Sequence, residues 1–344
     1  MSFKVVMTEK IMPPKQTQEI ELDHKKMGVD FQTIPCDTED EIIAAARDAD
    51  AVITLMQPYS RRVIENLQNC KLIFNAGTGF DSIDLKAATE FGICVTYPGN
   101  YCTEEVSEHA MALLLACARK IIQIDKAVKA GKWGSFEKVE IRGEILPPMF
   151  RIEGQTLGII GLGRTGRATV PKAKGFGMKV IAFNPDLPAD VFKETGVEAV
   201  SLDYLLKVSD FVLIQAAMRP ELKQIKHMIG MEQLKLMKPT AYLINTARGS
   251  FIDQEALYTA LAEGIIAGAG LDVMEEEPAG INVDHPLLTL DNVIITAHTA
   301  YYSEQSWAMY KQRICDAVAS IMEGRWPDWL INPEVKDNFR QRWG

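Results

Sequence analysis

This 344-residue chain predicts two α/β units, each a parallel sheet with helices on its faces. Three observations lead there. Short runs rich in Val, Ile and Leu alternate with polar, helix-spaced stretches, the rhythm of a sheet buried on both sides. The rhythm halts at a long helical pattern near residue 103 and restarts after Gly154. The length also exceeds what one core usually fills, which favours two domains.

The elements follow in order. "FKVVM" (3–7), "AVITL" (51–55), "KLIFN" (71–75) and "ICVTY" (93–97) are strand runs, and "DEIIAAARDA" (40–49) has helical spacing. A helix is expected over roughly 103–130, with Thr103 and two glutamates at its N-terminal cap region. A charged, proline-containing loop reaches Gly154. The second series is "TLGIIG" (156–161), "KVIAF" (179–183), "FVLIQ" (211–215), "AYLIN" (241–245), "GIIAGAGL" (264–271) and "NVIITA" (292–297). A last helix runs to about Gly324, before a polar tail. One helix and a tail cannot make a third unit, so the chain's end is expected to return to the first. The boundaries are then 1–102 with 300–344, and 103–299 inserted between them. Two crossovers would leave a cleft, a favoured place for ligands and hinge closure.

Composition excludes several functions. The net charge of −9 lacks the basic face that nucleic acid requires. No apolar run spans a bilayer; "AMALLLACARKII" is too short and carries Arg119 and Lys120. The N-terminus has no signal-peptide pattern. Six scattered cysteines without a CxxC pair read as reduced thiols of a cytoplasmic protein, not as a disulfide frame or zinc site.

"TLGIIGLGRTGRA" sets Gly161, Gly163 and Gly166 as GxGxxG between a strand and a helix, with another strand from Lys179. That context is what a dinucleotide loop needs. Gly161 permits the turn, Gly163 admits a diphosphate to the backbone, and Gly166 lets helix meet strand. The helix N-terminus adds partial positive charge. Pro171 predicts a kink further along. The second unit is thus expected to be a Rossmann, doubly wound NAD(P)-binding domain, inserted into a flavodoxin-like substrate (catalytic) domain. At the next strand end, Asn184 replaces the acidic residue that would accept from the ribose and repel a 2′-phosphate. Asp186 can restore that role, and Arg219 can instead meet a 2′-phosphate. NAD is favoured, with NADP left open.

Three chemistry-bearing residues follow three consecutive strands of this unit. Arg248 follows "AYLINTA", the glutamates of "GLDVMEEEP" follow "AGAGL", and His298 ends "NVIITAH". Carboxyl ends of strands are where open α/β sheets collect their chemistry. The other histidines, His24, His109, His227 and His285, read as surface or packing residues. Glu105 and His109 on one helix face do not suffice for a metal site.

"GLGRTG", "INTARGSFIDQEAL", "GLDVMEEEP" and "TAHTA", in this order, resemble the D-isomer-specific 2-hydroxyacid dehydrogenase family, and "GTGFDSID" and "GICVTYPGNYCTEEVSEHA" extend the resemblance to the first unit. "HTAYYSEQS" further resembles the branch containing the C-terminal-binding proteins, with Tyr301 as the aromatic after the histidine. The resemblance implies a catalytic set of Arg248, Glu277 and His298. It implies cofactor contacts from Gly161, Gly163, Arg164, Thr165, Gly166, Asn184, Ala247 and Asp272, and substrate contacts from Thr78, Gly79, Tyr101 and Tyr301. Backbone amides of Thr78 and Gly79 would hold a carboxylate, and Tyr101 would line the pocket or hinge. Glu275 and Glu276 would be solvated. A homodimer is also implied.

The implied reaction is reversible hydride transfer between a small 2-oxo acid and its D-2-hydroxy acid. It needs a proton donor, which an imidazole supplies near neutral pH, and a carboxylate anchor, which a guanidinium supplies. The rival is a dinucleotide-sensing binding protein on the same fold. "MQPYSRR" after "AVITL" offers no immediate arginine for a phosphate, which disfavours a phosphorylated substrate.

Overall fold

The computed structural model describes residues 2–9, 13–80, 82–133, 143, 145–217, 226–277 and 280–344. The chain forms two units, Met1–Tyr101 with Ser303–Gly344, and Cys102–Tyr302. Arg219 lies outside the described residues.

Unit 1 holds five parallel strands, β1 (Lys4–Met7), β2 (Asp30–Thr33), β3 (Ala51–Thr54), β4 (Leu72–Asn75) and β5 (Cys94–Thr96), in the order β2-β1-β3-β4-β5. That is the flavodoxin-like order. Every residue of β3, β4 and β5 is buried, which is why these strands read as unbroken apolar runs. The edge strand β2, "DFQT", buries only Phe31 and carries no such signal.

Unit 2 holds seven parallel strands: β6 (Thr156–Ile160), β7 (Lys179–Phe183), β8 (Glu198–Ala199), β9 (Phe211–Ile214), β10 (Tyr242–Asn245), β11 (Gly268–Leu271) and β12 (Val293–Ile295). Their order is β12-β11-β10-β9-β6-β7-β8, so the winding reverses between β6 and β9. Apolar clusters cover the sheet on both faces. One contains Leu243, Phe251 and Leu257; the other packs Leu157 and Ile159 with Leu113 and Leu114.

The helical pattern expected over 103–130 is not one helix. It divides into Thr103–Ala118 and Ile121–Ala127 at Lys120, whose φ is +51°. The Lys120 ammonium donates to the Ile145 carbonyl at 2.7 Å. Cys102, without a capping side-chain bond, holds the N-cap, and Thr103 is the first helical residue. Pro171 lies inside the helix Arg164–Gly175, which continues four residues beyond it.

The chain's end returns to unit 1. The helix Glu304–Met322 opens with a reciprocal cap between Ser303 and Ser306. The Trp307 indole and the Lys311 ammonium both donate to Glu19 at 2.8 Å, tying this helix to Pro14–Lys26. Fully buried Asn332 accepts from Val95 N and donates to Ile93 O, pairing the outer edge of β5. The expected polar tail is instead a helix, Lys336–Trp343. There Arg342 donates to the carbonyls of Leu67 and Gln68, an end-of-chain anchor with no periodic apolar face to announce it. No helix among the described residues is long and apolar enough to cross a membrane.

Candidate active site

The glycine turn is shaped by close contacts on two sides and open space on the third. Gly161 has φ +96°, and a Cβ there would lie 2.6 Å from the Ala216 backbone. A Cβ on Gly166 would lie 2.3 Å from Gly161 O. Around Gly163 a Cβ would meet nothing within 4 Å. Gly163 is also the N-cap of the helix Arg164–Gly175, with no side chain capping its first N–H groups. An anion held there gains those donors and the helix dipole, so the turn fits a dinucleotide diphosphate. Exposed Arg164 and half-buried Thr165 are the first two helical residues. Gly161 N donates to Phe183 O, which brings the end of β7, and half-buried Asn184 after it, beside the turn.

Strands β10, β11 and β12 are neighbours, and each ends in part of one cluster. After β10, fully buried Asn245 accepts from Ala247 N at 3.0 Å and donates to Arg248 O at 2.8 Å. The turn carrying half-buried Arg248 is thereby fixed, and its guanidinium donates to Ala247 O. Gly249 then packs so tightly that a Cβ would stand 2.0 Å from the Met274 carbonyl carbon. Only glycine lets the arginine turn rest on the glutamate turn.

After β11, Asp272 is 1% exposed. One carboxylate oxygen accepts from the Thr296 hydroxyl at 2.5 Å and from Thr299 N at 3.0 Å; the other accepts from Ala300 N at 3.0 Å. The Asp272 carbonyl accepts from His298 N at 2.8 Å. This grip holds His298 at φ +51°, a conformation few non-glycine residues adopt. His109 adds support, its ring nitrogen 3.0 Å from the Thr296 hydroxyl.

His298 Nδ1 lies 2.7 Å from Glu277 Oε2, and Glu277 Oε1 accepts from Met274 N at 3.0 Å. Burial pushes the Glu277 carboxyl up, but the His298 hydrogen bond and charge, the Met274 amide and the Arg248 charge together hold it below the ordinary carboxylate range. The imidazole is 45% exposed, and its Nε2 has no hydrogen bond among the described residues. A carboxylate-oriented imidazole with one free nitrogen can pass a proton to a ligand. The Tyr301 ring stands edge-on to it, centroids 6.5 Å apart.

The structure therefore gathers Arg248, Glu277, His298, Ala247, Asp272 and Tyr301 at one edge of unit 2. Thr78, Gly79 and Tyr101 belong to unit 1. There, fully buried Asn75 donates to Gly77 O at 2.6 Å and Gly79 O at 2.9 Å, shaping the turn that exposes Thr78. Tyr101 is 9% exposed and packs on Tyr310, with ring centroids 5.3 Å apart. Its place is inside unit 1, at the residue where the chain passes into unit 2.

Two expectations need correction. Glu275 and Glu276 are partly solvated, with side chains 27% and 37% exposed, but each is also paired. Glu275 takes His227 and Lys226 at 2.9 Å, and Glu276 accepts from Gln254 at 3.0 Å and lies 3.1 Å from His285. Each of the three consecutive glutamates thus has its own histidine, which sequence spacing does not show. Consequently His227 and His285 are paired, not merely surface or packing groups. Among the described residues no cluster of three or more His, Cys, Asp or Glu side chains could hold a metal ion.

Residues 111–300 match the model of the D-isomer specific 2-hydroxyacid dehydrogenase NAD binding domain. The chain belongs to that family. A glyoxylate reductase of Korarchaeum cryptofilum is 40% identical over 296 residues, 86% of each chain. A D-3-phosphoglycerate dehydrogenase of Methanocaldococcus jannaschii is 38% identical over 86% of this chain and 54% of its own length. The crystal structure of a glyoxylate reductase from Paecilomyes thermophila superposes with a TM-score of 0.79 at 26% identity, covering 94% of this chain and 97% of that one. As a D-isomer specific 2-hydroxyacid dehydrogenase, the protein is an NAD(P)-dependent oxidoreductase acting on 2-oxo and 2-hydroxy acids. The narrower resemblance to the C-terminal-binding-protein branch gains no support from these relatives.

Proposed function

We propose that this 2-hydroxyacid dehydrogenase reduces a small, unphosphorylated 2-oxo acid to its D-2-hydroxy acid, with His298 as acid/base. The observation that carries this reading is the 2.7 Å His298–Glu277 pair with Nε2 left for the ligand, beside Arg248. When bound, the dihydronicotinamide supplies the hydride. His298 Nε2 donates the proton to the carbonyl oxygen, and Glu277 orients the ring through Nδ1. The Arg248 fork holds the substrate carboxylate and polarises the carbonyl. Backbone N–H groups of Thr78 and Gly79 supply a second carboxylate anchor in unit 1. Unit 2 is assigned as the nucleotide domain and unit 1 as the substrate domain. Arg164, Thr165, Asn184, Ala247 and Asp272 join the glycines in the cofactor contacts.

The relatives named glyoxylate reductase make glyoxylate the first substrate to test. Exposed Asp186, two residues after Asn184, favours NAD over NADP, because a carboxylate near this strand end repels a 2′-phosphate. Exposed Ile121, Ile122 and Trp133 on one stretch of unit 2 support a homodimer. Six free cysteines, five of them buried, suit the reducing cytoplasm. The rival, a dinucleotide sensor without turnover, has no observation in its favour over the ordered acid/base pair. A panel of 2-oxo acids assayed with NADH and NADPH decides between them: turnover with glyoxylate or another short acid is expected, and no turnover with any acid overturns the reading. Replacing Arg248 by Lys should raise KM strongly, because an ammonium lacks the planar fork.

A further inference from the structure

Glu9 follows β1 in unit 1, is 2% exposed, and has no part in the chemistry assigned above. Its Oε2 accepts from Leu55 N at 3.1 Å and Met56 N at 3.2 Å, the first two residues after β3. Its Oε1 faces the Gln57 amide nitrogen at 3.5 Å, while the Gln57 oxygen accepts from Thr54. A buried carboxylate spent on successive backbone amides freezes the turn it grips. The turn beyond β4 is its neighbour, since β1, β3 and β4 are adjacent in the sheet. The two turns touch: a Cβ on Gly77 would lie 2.8 Å from Leu55 Cδ1.

We infer that Glu9 is a specificity-determining positioning residue, holding the Leu55–Gln57 turn against the Gly77–Gly79 turn so that only 2-oxo acids with no side chain, or a one-carbon one, are accepted. This rests on the proposed role of Thr78 and Gly79 in holding the substrate carboxylate. Leu55 touches the start of the turn that would hold that carboxylate, so whatever C2 carries would have to fit the space that the gripped turn leaves. Glyoxylate carries only hydrogen at that carbon, so it is insensitive to the turn. Pyruvate carries a methyl group and 2-oxo-4-methylpentanoate a branched chain.

The test is Glu9→Gln. An amide keeps the shape but removes the charge that strengthens the bonds from the Leu55 and Met56 amides, so the grip weakens and the turn loosens. The ratio of kcat/KM for 2-oxo-4-methylpentanoate to that for glyoxylate is expected to rise about tenfold, with glyoxylate itself changed less than about twofold. Gln57→Ala leaves Glu9 in place, is expected to move the ratio in the same direction, and decides the matter if the Glu9 variant does not fold. An unchanged ratio in the folded variants, or an equal loss on every acid, overturns the inference while leaving the reductase reading intact. No turnover by the wild type with any 2-oxo acid overturns both.

Discussion

The carboxyl edges of the two sheets share one construction and present different things. In unit 2, buried Asp272 and Asn245 grip turns that hold out side chains: His298, with Glu277 behind it, and Arg248. In unit 1, buried Asn75 shapes the Gly77–Gly79 turn that exposes Thr78, and buried Glu9 takes up the Leu55 and Met56 N–H groups of the adjoining turn. Each time a polar side chain at a strand end spends its bonds on the main chain and freezes a few residues. What remains outward follows the task. Proton transfer and a planar cation require side chains, whereas anchoring an anion requires only N–H groups. Damage to the proposed His298–Glu277 pair should therefore appear in kcat, and damage to the proposed carboxylate anchors, Arg248 in unit 2 and the Gly77–Gly79 turn in unit 1, in KM.

The largest effect should come from His298→Gln. Loss of the proton donor is expected to lower kcat about 10³-fold, with NADH affinity by fluorescence titration unchanged. An equal fall in kcat from a unit 1 turn variant would erase the contrast. Next is Glu277→Gln, expected to lower kcat/KM for reduction about 10–100-fold. The sign of its pH effect is fixed. Folding holds the Glu277 carboxyl below its ordinary range, so its charge is lost only as pH falls through that lowered value, and the variant, with no carboxyl to protonate, should lack that acid-side limb. A limb that stays in place would break the assigned pairing.

Arg248 and His298 were legible in the sequence because each closely follows an apolar run, and the family resemblance singled out Glu277 from its two neighbours. The residues that hold them were harder to see. Asn245 lies within "INTARG" and reads as part of a strand, because its 0% exposure and its two turn bonds arise only once the chain folds back. Gly249 stands in the same segment, and its requirement, the Met274 backbone, lies 25 residues on. The edge strand β2 and the helix Lys336–Trp343 were missed for another reason. Neither buries a regular apolar face, and the helix is held by polar bonds to residues some 250 positions away.

On the unit 1 side, Asn75→Ala should raise KM for the 2-oxo acid about tenfold and change kcat less than about threefold, since the amide shapes an anchor and touches no reacting atom. A collapse of kcat with KM unchanged would show that this edge does more than bind.

The smallest effect sharpens the contrast within one turn. Glu275 stands two residues before Glu277 but serves structure. Burial pushes its carboxyl up, and the hydrogen bonds and charges of Lys226 and His227 more than offset this, leaving it below the ordinary range. A carboxyl lowered by folding contributes stability that is present above its unfolded value and lost as pH falls through its folded value. Glu275→Gln should therefore lower Tm slightly between about pH 5 and pH 7, and the gap should close as pH falls through the lowered folded value, where the wild-type carboxyl is itself protonated. Turnover should stay within about twofold of wild type. Paired Tm series across that range, with one rate measurement at neutral pH, check this. A Glu275→Gln variant that loses turnover as Glu277→Gln does would mean that the whole glutamate turn, and not the His298 pair alone, carries the proton chemistry.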